Sequence, residues 1–344
     1  MYLLVVFSSI PLQLLACVRA ESDHRFPAHL SLSLTMDTAD PPGSAVIPGL
    51  DAHIRKAVFD GLETSHTINS KDVIEIQGPS VGKSHLLMHF IMTCVLPVFH
   101  LGTRLHGWDK SAILIDLDHT FDVHRFRHLL INRIKAHIPT SDENLDLFVD
   151  LLLRKLHIFR PESSSQFAMT VGNIPNYHST SMPRDEIGLV AIDSLSSFYW
   201  QDRFLGEQPR GGRPSGVEEA LNSLERIRQS HGSVIAYTNW GLPSARHAAQ
   251  NTPFYPQHVP QLHSPFGEEA QVSRPILPVT HHMTLRTVAM PKIPSDTPIT
   301  RLTEGRRVYD QVVEVLVRTV GFNEQVGSFM FKVTSDEVYF SGRG

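Results

Sequence analysis

VIEIQGPSVGKSHLL, residues 73–87, joins a strand-like run, a glycine-bounded loop and a helix-like run, and its reading decides the fold. Residues 72–77 (DVIEIQ) alternate apolar and polar side chains as a strand does. Residues 83–96 instead set Leu86, Leu87, Phe90, Ile91, Cys94 and Val95 at helical spacing, and Pro97 ends the pattern. Between the two lie Gly78, Pro79, Ser80, Val81, Gly82, Lys83 and Ser84. A loop between strand and helix points backbone N–H groups and a helix N-terminus at one spot, which suits phosphate. From there Lys83 would reach the outer phosphates of ATP, and the Ser84 hydroxyl would coordinate magnesium. The usual loop carries one more residue between its glycines than the three found here, Pro79, Ser80 and Val81. A shortened nest of amides makes weak or absent nucleotide binding the expectation.

Outward from this loop, short apolar runs alternate with helical patterns. Ala112–Asp116 (AILID), Leu156–Phe159, Gly188–Asp193 (GLVAID) and Ser233–Thr238 (SVIAYT) read as strands. Asp51–Leu62, Val123–His137, Asp142–Leu153 and Val217–Gln229 read as helices. The alternation predicts an α/β fold with a central, mainly parallel sheet and helices on both faces, and the loop at 78–84 makes it resemble a P-loop NTPase core. Beyond residue 278 the pattern changes. Val279–Val288, Val312–Thr319, Ser328–Val333 and Val338–Phe340 alternate apolar and polar residues, as antiparallel strands with one wet face do. Residues 1–48 read as an N-terminal extension and a disordered linker, and 49–344 as one core. Insertions at about 162–184, 206–215 and 242–278, rich in Pro, Gly, Ser or His, read as surface loops.

Carboxylates fall where this chemistry wants them. Asp193 ends GLVAID and could hold magnesium opposite Ser84, although a strand-end Asp also caps turns. Asp118 ends AILIDLD and could orient an attacking water, with less reach than a Glu. His124 and His128, four apart, could bind a metal, but with 20 histidines in the chain a solvated helix face is the preferred reading. No strand leads into a Gly-x-Ser-x-Gly elbow, which excludes that hydrolase pattern.

Composition narrows the classes. With 344 residues, 41% of them hydrophobic, the chain can bury a full core, and with two cysteines it holds neither a disulfide framework nor a Cys-rich zinc site. A net charge of -4 supplies no global basic field, so DNA contact must be local or borrowed from a partner. Met1–Ala20 is apolar like part of a secretory signal, yet no Lys or Arg precedes the apolar run, and Pro11 argues against a membrane span. An extension or a mispredicted start is the favoured reading, with no membrane partner.

VIEIQGPSVGKSHLL (73–87), AILIDLDHTFDVHRF (112–126) and GLVAIDSLSSFYWQDR (188–203) together resemble the RecA-type recombinases, most nearly a recombinase paralogue. The Asp-Ser-Leu-Ser-x-Phe-Tyr-Trp-x-Asp-Arg run from Asp193 to Arg203 is the most specific part. The resemblance implies a nuclear role in homologous-recombination repair of DNA double-strand breaks, within a hetero-oligomer that includes a D-type recombinase paralogue. It puts Lys83 and Ser84 on the ATP-binding motif, Asp193 on the magnesium carboxylate and Asp118 where the recombinase has its catalytic Glu. Asn239 takes the place of the residue that senses the outer phosphate. It also implies DNA loops, single-stranded or branched DNA being the ligand, within residues 203–215 and 240–278. Arg203, Arg210 and Arg213 would contact phosphates, and Tyr199 or Trp200 would either stack bases or complete the core. The short loop, Asp118 and Asn239 weaken the case for hydrolysis, leaving a mediator or a working DNA-dependent ATPase. The segment 37–62, with its apolar helical face at 51–62, would contact the D-type paralogue, unless the helix packs on its own sheet.

Overall fold

The computed structural model describes residues 5–6, 44–58, 68–79, 82–138, 142–206, 216–242, 254–259, 262, 265–266, 276–287, 311–320, 326–334 and 336–341. Its centre is β2 (Val73–Gly78), whose side chains are buried on both faces. Ile74 and Ile76 enter one apolar cluster and Val73 the other, as the two-residue period of a strand requires. Around β2 the described residues build a ten-stranded sheet. To one side lie β8 (Val234–Trp240), β7 (Ile187–Asp193), β5 (Ser111–Asp116), β6 (Leu156–Phe159) and β1 (Val5–Val6), all parallel. To the other lie β9 (His281–Thr287), β10 (Gln311–Thr319), β11 (Gly327–Val333) and β12 (Val338–Ser341). A small hairpin pairs β3 (Phe99–His100) with β4 (Thr103–Arg104).

Helices cover both faces, as a parallel sheet needs. One cluster gathers α1 (Pro48–Val58), α2 (Lys83–Val95), α3 (Val123–Lys135) and α4 (Asp142–Leu153); the other gathers α5 (Ser164–Ser181) and α7 (Gly216–His231). The short α6 (Tyr199–Gly206) follows β7. Local chemistry starts α3 firmly: Asp122 accepts from the amides of His124 at 2.8 Å and Arg125 at 3.2 Å. Such a cap contributes about 1 kcal/mol. This is the RecA-like α/β arrangement, a mostly parallel sheet with an antiparallel carboxyl-terminal extension.

Two expectations change. Residues 162–184 are mostly helix α5, not loop, with Phe167, Ala168, Val171 and Ile174 buried against α7. Its serines and internal Pro175 hid that apolar stripe. The strand read at 279–288 is β9, antiparallel to β10 but parallel to β2. Its polar positions His282 and Thr284 are buried, so the alternation marks an enclosed polar cluster instead of a wet face. The helix read at 51–62 is α1 as far as residue 58, and it seats Leu50 and Ile54 on its own sheet, against β10, β11 and β12; residues 59–62 lie outside the described residues. The stretch 1–20 apart from Val5–Val6, the linker up to 43, and residues 207–215 lie outside the described residues.

Candidate functional site

The carboxyl ends of β2, β5, β7 and β8 meet the amino end of α2. Gly82 sits at φ 95°, a conformation that favours glycine, and a Cβ there would stand 2.9 Å from the ring of Phe331. The loop thus packs directly on the carboxyl-terminal strands. Lys83, buried, donates through Nζ to the Gly78 carbonyl at 2.9 Å, closing the short loop on itself. Burial lowers its pKa, and the charges of Asp193 and Asp118 oppose that shift. Ser80 and Val81 lie outside the described residues; Pro79 is described and exposed.

Asp193 ends β7 and faces this loop. It accepts from the Thr238 hydroxyl of β8 at 2.5 Å and from the Ser84 hydroxyl. Burial pushes the carboxyl above its ordinary range; the two hydroxyls pull it down, and Asp118 and Asp116 push it up further. Ser84, Thr238, Asp193 and Asp118 present oxygen donors, the set magnesium takes, with Lys83 beside them for a phosphate. These residues fit a magnesium nucleotide in chemistry. The Lys83–Gly78 and Ser84–Asp193 bonds would both have to be exchanged to admit it.

Asp118, exposed, follows β5 and accepts from the Ser197 hydroxyl. Its amide and that of Leu117 donate to the Asp193 carbonyl at 3.1 and 2.6 Å. Asp116, the cross-strand partner of Asp193, is fully buried. Sequence reading passed over it and Thr238. The spacing of two in AILIDLD, with both Asp residues near the strand end, was the available signal for Asp116.

Asn239 points away from this loop. Thr238 faces Asp193, so by alternation its neighbour lies on the other face of β8. There the Asn239 side chain donates to Glu75 and to Gln257, each at 3.1 Å, and accepts from the Ser196 hydroxyl. Glu75, buried, also accepts from Gln257 at 2.7 Å and pairs with His282 Nδ1 at 2.9 Å. Burial alone would raise its pKa; the His282 bond and charge and the two amides outweigh that and lower it. The residues 254–259 are thereby fastened over the sheet, with Gln77 donating to the Pro256 carbonyl at 3.3 Å.

On α6, Arg203 lies over the Trp200 ring at 5.7 Å and donates to the Tyr199 hydroxyl at 3.2 Å. Trp200 is 56% exposed and Phe204 67%, whereas Phe198 completes the core. Tyr199 meets His258 edge to face at 4.9 Å, and His258 stacks with Trp240 at 6.3 Å. Arg210 and Arg213 lie outside the described residues. His128 bonds Asp336 at 3.1 Å, and among the described residues no three or more His, Cys, Asp or Glu side chains group as metal ligands, at His124 and His128 or elsewhere. Among the same residues no helix is long and apolar enough to cross a membrane.

No family model matches the chain. Over 172 residues, half of the chain and 56% of the relative, it is 28% identical to the mouse (Mus musculus) protein named DNA repair protein XRCC2. Over an alignment of 218 residues, covering 53% of the chain and 58% of the relative, it is 21% identical to the Arabidopsis thaliana DNA repair protein XRCC2 homolog. The chain spans about half the length of the curated relatives it matches. Over that half it is similar to a RecA-type recombinase paralogue.

Proposed function

We propose that this chain is a recombination mediator in homologous-recombination repair of DNA double-strand breaks, working in the nucleus beside another recombinase paralogue of the D-type. Similarity to proteins named for DNA repair supports the repair role. Its nucleotide site binds magnesium ATP weakly. One observation carries this part: Lys83, the residue that would hold the outer phosphates, is already bonded to the Gly78 carbonyl across a loop one residue short. Ser84 is likewise engaged by Asp193. A ligand must replace these bonds before it gains its own, which subtracts from affinity.

A second reading, a working DNA-dependent ATPase, is favoured by Asp118 lying near Lys83 and Asp193. The two separate in cells and in solution. Under the mediator reading, Lys83→Ala supports survival after double-strand breaks nearly as well as the unmodified chain. Severe repair loss by a folded Lys83→Ala protein supports the ATPase instead. Co-expression with the paralogue should yield a one-to-one complex on size exclusion, and a stable, active monomer indifferent to it overturns the assembly role.

A further inference from the structure

Asp116 and Arg160 form a clamp beside the candidate site that the site's chemistry does not itself require. Asp116 ends β5 with its carboxylate fully buried, and Arg160 directly follows β6, the neighbouring strand. Arg160 Nε donates to that carboxylate at 2.9 Å. The same carboxylate accepts from the amides of Thr120 at 3.1 Å and Phe121 at 3.2 Å, and the Arg160 guanidinium also donates to the Phe121 carbonyl at 2.8 Å. The turn 117–121 is therefore tied at both ends. Its first amides donate to the Asp193 carbonyl, and its last are gripped by Asp116 and Arg160. Asp118 stands within this turn, with its carboxylate held by Ser197.

We propose that Arg160 is a positioning residue: through Asp116 it fixes the turn 117–121 and so keeps Asp118 beside Lys83 and Asp193, the residues that would hold a magnesium nucleotide. This rests on the nucleotide reading of the strand ends. A guanidinium that forks onto a carboxylate and a carbonyl of the same turn orients it as an ammonium cannot. Groups that orient ligands from behind commonly change affinity about tenfold to about a hundredfold when removed. A purely electrostatic role predicts the opposite sign. Losing the Arg160 charge leaves more negative charge at the strand ends, which by itself tightens a divalent cation.

The test compares the full chain with Arg160→Gln and Arg160→Lys. Two measurements are made: hydrogen exchange at the Thr120 and Phe121 amides without ligand, and titration of a fluorescent ATP analogue with and without magnesium. Arg160→Gln should speed exchange at both amides while β7 stays protected. It should also lose about tenfold or more in magnesium-dependent affinity, with Arg160→Lys recovering part of the loss. Unchanged or tighter magnesium-dependent binding by Arg160→Gln overturns the positioning role, as does unchanged exchange. If Arg160→Gln does not fold, the double variant Asp116→Asn, Arg160→Gln leaves no buried charge unpaired and faces the same criteria. Failure of the unmodified chain to bind the analogue overturns the nucleotide reading and the proposal with it. Equal binding by the unmodified chain and Arg160→Gln overturns the proposal alone.

Discussion

The Thr238 hydroxyl of β8 donates to the Asp193 carboxylate of β7 at 2.5 Å, tying two strand ends at the mouth of the candidate site. Because burial holds the Asp193 pKa above its ordinary range, the folded chain keeps that proton more tightly than the unfolded chain. Its contribution to stability is thus full in acid, below the ordinary carboxylate range, and is lost as pH rises through the raised value. Asp193→Asn should therefore gain stability relative to the unmodified chain as pH rises from the ordinary carboxylate range through the raised value, read from urea midpoints. Thr238→Val should cost about 1.5–3 kcal/mol near neutral pH, where the bond is to a charged group, and less in acid. A pH-independent difference for Asp193→Asn refutes the assignment.

Glu75 behaves with the reverse sign. Its pKa is lowered on folding, so the stability it brings is present above the ordinary carboxylate range and lost as pH falls through the lowered value. Glu75→Gln places an amide among the donors of Asn239 and Gln257 and leaves His282 without its carboxylate. Near neutral pH it should cost about 3 kcal/mol, with a smaller loss in strong acid. It should also open the residues 254–259 to limited proteolysis before global unfolding.

DNA binding along the aromatic face of α6 is testable without disturbing the core. Trp200, more than half exposed, should tolerate alanine with a stability change within about 0.5 kcal/mol. The same change should weaken single-stranded DNA binding by about 1–3 kcal/mol in fluorescence anisotropy. Charge reversal at Arg203, Arg210 and Arg213 should flatten the salt dependence by about 0.7 for each phosphate no longer neutralised. An unchanged salt slope removes these arginines from the DNA interface.

The packing of α1 gives a prediction about assembly. Leu50 is fully buried and Ile54 nearly so, on the chain's own carboxyl-terminal strands. Leu50→Ala should cost about 2–5 kcal/mol in urea unfolding of the isolated chain. That loss should persist on co-expression with the paralogue. A variant as stable as the unmodified chain when alone, yet defective in complex formation, would assign Leu50 to the partner interface instead.

Reading residues 73–87 in order was enough to place a strand, a loop and a helix, because each step is local. Alternation sets the strand, helical spacing sets α2, and Pro97 sets its end. Short runs buried on both faces likewise signalled the parallel half of the sheet, since such a strand must be apolar nearly throughout. Lys83, Ser84 and Asp193 were legible by the same means, and the tertiary structure brings them together. What the tertiary structure decided is which face each side chain meets. Thr238 and Asn239 are adjacent in the chain, yet the pleat sends one to Asp193 and the other to Glu75. Arg160 lies 44 residues from Asp116, and only the parallel pairing of β5 with β6 brings its guanidinium to that carboxylate. Polar residues in β9 looked water-facing because alternation records a change of polarity and not its cause, which here is the buried carboxylate of Glu75.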